Sequence, residues 1–89
     1  MDFRWNEWNV EHIARHGVTP EEAEHVVRTA KNPFPRKIEE DKWLAWGRGR
    51  GDRFLQVIYV LDEDRTVYVI HARPLEDREK RRFRRSQKQ

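Results

Sequence analysis

The 89-residue sequence predicts one α+β domain ordered β-α-α-β-β-β-α, with a small, mainly antiparallel sheet and helices packed on one face. Three observations carry this expectation. Helix-start signals stand at Asn6 and at Thr19-Pro20-Glu21-Glu22 in the first third. Apolar runs separated by short polar turns fill the middle, and a charged segment behind Pro74 closes the chain.

Asp2-Phe3-Arg4-Trp5 alternates polar and apolar and reads as a short strand. Asn6 caps a helix over about residues 7–16, with Val10, Ile13 and Ala14 on one face and Gly17 at its C-terminal stop. Thr19 is the N-cap of the next helix, Pro20 takes its first turn, and Glu22 completes a capping box. Ala23, Val26, Val27 and Ala30 follow at i, i+3, i+4 and i+7, a core-facing stripe. Asn32-Pro33 and Pro35 end it. Strands are expected at 43–46, 54–61 and 67–72, the last two joined through Asp62-Glu63-Asp64-Arg65. A helix over about 74–85 has only Leu75 and Phe83 as apolar anchors. The single domain thus divides into a strand plus helical hairpin (1–35), an antiparallel sheet (36–72) and a basic helix and tail (73–89).

Composition narrows the function. Hydrophobic residues are 36% and charged residues 39%, yet four Trp, four Phe and two Tyr argue for a packed core. A chain this short buries only about 60–65% of its unfolded surface. The absence of cysteine excludes disulfides and thiolate chemistry and permits a reducing compartment. No apolar stretch approaches the ~20 residues that span a bilayer, and no signal peptide is read, so a soluble protein without a membrane partner is expected. Residues 73–89 hold eight Lys/Arg against three acids, whereas residues 1–72 hold eleven against thirteen. A nearly neutral body therefore carries a basic end suited to phosphates.

Candidate chemistry lies first with arginine. Arg48 and Arg50 stand in the glycine-rich turn, Arg53 starts one strand and Arg73 ends the next. In an antiparallel pair these strand ends are neighbours, so Arg53 and Arg73 are expected to meet on one phosphate, which guanidinium groups match in bidentate geometry. On the last helix Asp77–Arg81 is a favourable i, i+4 pair, whereas Arg84, Arg85 and Lys88 add positive charge beyond what helix pairing explains. His12 and His16, four apart, have a spacing that could hold a metal. The sequence His-Ile-Ala-Arg-His, however, lacks the acid of a zinc-protease motif, and no third ligand stands nearby. No metal or other cofactor is expected, and proton transfer by His12, His16 or His71 stays open. Trp43 and Trp46 are three apart and point to opposite sheet faces, so one is a candidate base platform or partner contact.

Phe3-Arg4-Trp5 with Asn9, then Arg15-His16-Gly17-Val18 and Glu21-Glu22-Ala23, resembles the N-terminal half of the BrnT toxins. Gly47-Arg48 and Asp52-Arg53 are similar to that family's middle hairpin, and Ala72-Arg73 with Glu79 and a basic helix to its close. The resemblance covers nearly the whole chain. The chain departs from it with Arg15 where the family often has Lys and Phe83 where it often has Tyr. The resemblance implies a fold like the RelE ribonuclease toxins, a cytoplasmic RNA-cleaving activity that inhibits growth, and a ribbon-helix-helix antitoxin, with higher-order toxin–antitoxin assembly possible. It implies functional roles for Arg53 and Arg73, then Glu79 and Arg15.

The expected reaction is metal-independent cleavage through the RNA 2′-hydroxyl. Arg53 and Arg73 supply cations, and Glu79 and His16 are the base and acid candidates. Arg15, Arg48, Arg50, Arg81, Arg84 and Arg85 are expected to bind the nucleic acid. A non-catalytic nucleic-acid-binding module, or an interaction domain using the same basic surface, are the alternatives.

Overall fold

A computed structural model describes residues 1–88. The elements are α1 (Glu7–Ala14), α2 (Pro20–Arg28), β1 (Arg36–Lys37), β2 (Lys42–Arg48), β3 (Phe54–Leu61), β4 (Val67–Pro74) and α3 (Asp77–Ser86). The strands form one antiparallel sheet ordered β1-β2-β3-β4. The expected α+β class and element order hold, but the helices cover both faces of the sheet rather than one, because Trp46 and Phe54 give the second face an apolar patch for α3. Three details also differ. The first segment is a single parallel bridge between Phe3 and Val67 on the β4 edge, not a full strand. The two-residue β1 pairs with β2 where no strand was expected. Pro74 ends β4 opposite Leu55, and the last helix begins only at Asp77.

Local chemistry fixes the helix ends. In α1 the Asn9 N–H donates to the Asn6 side chain at 3.2 Å, and the Asn6 N–H donates back to Asn9 Oδ1 at 2.8 Å. In α2 the same exchange joins Thr19 and Glu22. Gly17 follows α1 at φ +73°, a left-handed turn that favours glycine.

Alternation along the strands builds two cores. Ala45, Leu55, Val57, Tyr59, Val67, Val69 and Ala72 face Ile13, Val18, Ala23, Val26 and Val27, so α1 and α2 share one face. Trp46, Phe34 and Leu75 form a second cluster with Phe54 and Phe83, which brings α3 against the opposite face. Trp43 packs on the first core and Trp46 on the second. Trp46 is only 8% exposed and Trp43 is half-buried, so neither stands free on the surface as the base platform expected of one of them, though each borders a cleft. The exposed tryptophan is Trp8, at 54%.

Asn9, fully buried, ties these layers together. Its Nδ2 donates to the Arg4 carbonyl at 3.2 Å and to the Val69 carbonyl at 3.1 Å, joining α1 to β4. Asn9→Ala keeps the Asn6 cap but removes the acceptor of the Asn6 N–H and the donor to the Arg4 and Val69 carbonyls, and a loss of about 2–3 kcal/mol is expected in urea unfolding.

Candidate functional site

The two central arginines are held apart. Arg53 shares the parity of Leu55 and Val57 and lies on the α1/α2 face. Arg73 pairs in register with Gln56 on the α3 face. Arg53 Nε and Nη2 donate to the Glu22 carboxylate at 3.2 and 2.5 Å, and Nη2 also donates to the Gly17 carbonyl at 2.7 Å. Arg73 forms a bidentate pair with Glu79, both contacts 2.8 Å, and donates to the Pro74 carbonyl at 3.0 Å. The expected convergence on one phosphate is therefore corrected. Strand ends that are neighbours along the ladder still present alternate residues to opposite faces.

Each pair has a structural task. The Glu22 side chain is only 3% exposed. Burial pushes its carboxyl up, but hydrogen bonds from Arg53 and from the Arg50 and Thr19 N–H groups outweigh this and leave it below the ordinary carboxylate value. A side chain at Gly49 would come within 2.9 Å of Glu22 Oε2 and 2.6 Å of Leu55, so the turn must be bare there. Sequence reasoning saw Glu22 only as a capping residue and missed it as the partner of Arg53.

Glu79 is held near pKa 2, chiefly by its hydrogen bonds from Arg73, against a smaller cost of burial. It also accepts the Glu76 N–H at 2.8 Å at the start of α3. So weak a base does not suit the proton abstraction near neutrality expected of Glu79. Arg73 also lies 3.5 Å from Gln56 Oε1, which accepts the Trp46 indole N–H at 3.0 Å. A polar row thus crosses the sheet from β2 to α3.

Glu79 and Glu22 make a pH prediction with a definite sign. Both carboxyls have folded pKa values below their ordinary value, near 4.5, so folding favours their charged forms. Their stabilisation is present above about pH 4.5 and is lost as pH falls toward 2. Urea midpoints should decline steeply over that interval, and Glu79→Gln should flatten part of the decline.

His16, the fourth expected catalytic residue, lies in a cluster of rings where α1 meets β4. Its centroid is 5.7 Å from that of His71, and His12 is 6.4 Å from His71. Trp8 stacks on His12 at 4.8 Å with the planes 8° apart, and Tyr68 lies 6.4 Å beyond Trp8. Trp8 and His12 lie four apart on α1, and His16 follows in the turn just after its C-cap Arg15. The β-bulge where Ile58 and Tyr59 pair with β4 leaves Ile70 as an extra residue beside His71. Desolvation lowers the His71 pKa, and the charges of His16, Arg73 and His12 lower it further. His71 is thereby kept neutral near pH 7, as a proton acceptor requires. Among the described residues no carboxylate hydrogen-bonds to these rings, and no three side chains are placed to hold a metal ion.

The expected nucleic-acid-binding arginines disperse. Arg15 follows α1 and is exposed, and Arg50 is exposed while its backbone N–H serves Glu22. Arg81 and Arg85 lie exposed on α3. Only Arg48 and Arg84 come together, their guanidinium carbons 5.2 and 5.8 Å from the Phe54 ring centre. No helix of the described residues is long and apolar enough to cross a membrane. Compared with known proteins, the chain matches no family model, no curated protein and no solved structure at a significant level, so its chemistry must follow from these residues themselves.

Proposed function

We propose that the protein cleaves single-stranded RNA without a metal, at the histidine cluster between α1 and β4. The single observation that carries this reading is His71, two residues along β4 from Arg73, with the His16 and His12 rings 5.7 and 6.4 Å from its own and no carboxylate partner among the described residues. In-line attack needs a base and an acid on opposite sides of one phosphorus, each within about 3 Å of an oxygen. The ring spacing is on that scale.

Neutral His71 accepts the 2′-hydroxyl proton. The 2′-oxygen bonds to phosphorus, the bond to the 5′-oxygen breaks, and His16 gives that oxygen a proton. A 2′,3′-cyclic phosphate and a free 5′-hydroxyl result. The exposed Trp8 ring, stacked on His12, offers a base platform. The base role first expected of Glu79 is thereby moved to His71, and Arg53 keeps no part in the chemistry.

The bidentate neutralisation of Arg53 and Arg73 favours a second reading, RNA binding without cleavage. Incubating the purified chain with unstructured RNA in EDTA separates the two. Products ending in cyclic phosphate support the first reading, whereas salt-sensitive binding to intact RNA supports the second. Cytoplasmic growth inhibition and neutralisation by a ribbon-helix-helix antitoxin belong to the same proposal, on the strength of the BrnT resemblance.

A further inference from the structure

The basic helix α3 crosses the sheet away from the histidines, and a groove opens along its edge. One part, about 350 Å³, is lined by Trp46, Arg48, Phe54, Phe83, Thr29 and Lys31. A contiguous part of about 330 Å³ shares Arg48, Phe54, Phe83 and Gln87 and adds Arg84 and Lys88. Both volumes lie within the range of clefts that take small molecules, about 300–1,000 Å³.

The lining has two chemistries. Its floor is aromatic: Phe83 lies 5.5 Å from Phe54 and 6.4 Å from Trp46, both edge-on. Its rim is cationic. Arg48 and Arg84 approach the Phe54 ring, and Lys31 and Lys88 stand at the ends. The two arginines appear in no ion pair with a carboxylate among the described residues. Helix stability does not account for this rim, because Arg48 and Lys31 lie outside α3. Polar groups complete it. Gln87 donates its amide N–H to the Asn32 carbonyl at 3.3 Å and to Ser86, which leaves its amide oxygen directed to other donors. Thr29 Oγ1 donates to the His25 carbonyl at 2.7 Å and keeps lone pairs to accept.

We infer that this groove is a nucleotide subsite: it takes one unstacked base of single-stranded RNA on the Phe54–Phe83–Trp46 floor and the adjoining phosphate between Arg48 and Arg84. An aromatic floor suits the π-face of a base, and guanidinium groups suit its phosphate. The site rests on the RNA reading above and deepens it, since it shares no residue with the histidine cluster. It anchors the strand at a distance from the bond being cut. Its residues are positioning residues, and they act on affinity, not on the chemical step.

The probe is adenosine 5′-monophosphate, titrated into the full chain and followed by the indole N–H resonance of Trp46, assigned with Trp46→Phe. Ribose 5-phosphate and inorganic phosphate are the reference ligands. The expected result is a saturable shift of the Trp46 signal with the mononucleotide, at least ten-fold weaker for both references. Arg48→Gln with Arg84→Gln should lose at least ten-fold in mononucleotide affinity and each single variant at least three-fold, whereas Lys37→Gln, a one-charge change on β1, should lose less than two-fold. Equal binding of all three ligands, or an unmoved Trp46 signal, overturns the subsite. If the signal stays unmoved while RNA is still cleaved, the subsite falls and the cleavage reading stands. If the mononucleotide binds but RNA remains intact, the subsite stands and the cleavage reading falls. Binding of an Asp/Glu-rich peptide in place of the mononucleotide would make the groove a protein-docking site and would also overturn the inference.

Discussion

His71→Ala is expected to lower the RNA cleavage rate at saturating substrate by about 10²–10⁴-fold, with RNA affinity changed less than three-fold. The argument is positional. His71 is the ring the other two histidines share, and its half-buried site beside Arg73 keeps it neutral and able to take a proton. His16→Ala should cost a similar factor, because an acid and a base serve one transition state and their losses do not add. His12→Ala should be milder, since His12 is stacked under Trp8 and its expected task is to hold that platform. Single-turnover cleavage of a short labelled RNA in EDTA reads all three. A His71→Ala protein that cleaves at the wild-type rate would remove the histidine cluster from the chemistry.

Arg53→Ala is expected to behave oppositely, with a large loss of stability and little change in the rate of the folded fraction. Removing this guanidinium strands the Glu22 carboxylate, whose side chain is 3% exposed, and frees the Gly17 carbonyl where α1 turns into α2. Breaking a buried pair by deleting one partner costs about 3–5 kcal/mol. Arg53 is itself a third exposed, which reduces that to about 2–3 kcal/mol. In a domain of this size such a loss is a large share of the total stability. Glu22→Gln with Arg53→Ala should recover part of it, because the stranded charge is gone. Urea unfolding of the two variants measures the difference.

Much of this architecture was readable before any coordinates. The limits of β3 match the expected 54–61, because alternation and two polar turns bound that strand locally. Both helix starts in the first third carry their caps in the sequence. The site was harder to read. Arg53 and Glu22 are 31 residues apart and meet only because α2 folds over β3. The face of each strand-end arginine depends on the ladder register, which the turn sequence does not reveal. Counting from Leu55 places Arg53 on the apolar face, but the parity of Arg73 follows only once Gln56 is known to be its partner. The bulge beside Ile58 and Tyr59 likewise has no glycine or proline to announce it, and it sets His71 near α1. His16 was expected at the site. His71 joins it through tertiary contact alone.

The sign of the His71 shift also bears on stability. A folded-state pKa below the ordinary value near 6.5 means the unfolded chain takes up the proton first, so this contribution is present above that value and is lost as pH falls below it.

The pH dependence of single-turnover cleavage in EDTA tests the account most directly. Wild-type protein should give a bell-shaped profile whose acidic limb, set by protonation of His71, lies below pH 6.5. In His71→Ala that limb should vanish along with most of the rate, while Arg53→Ala keeps both limbs. A profile with no acidic limb, or one abolished by Arg53→Ala in protein shown to be folded, would contradict it.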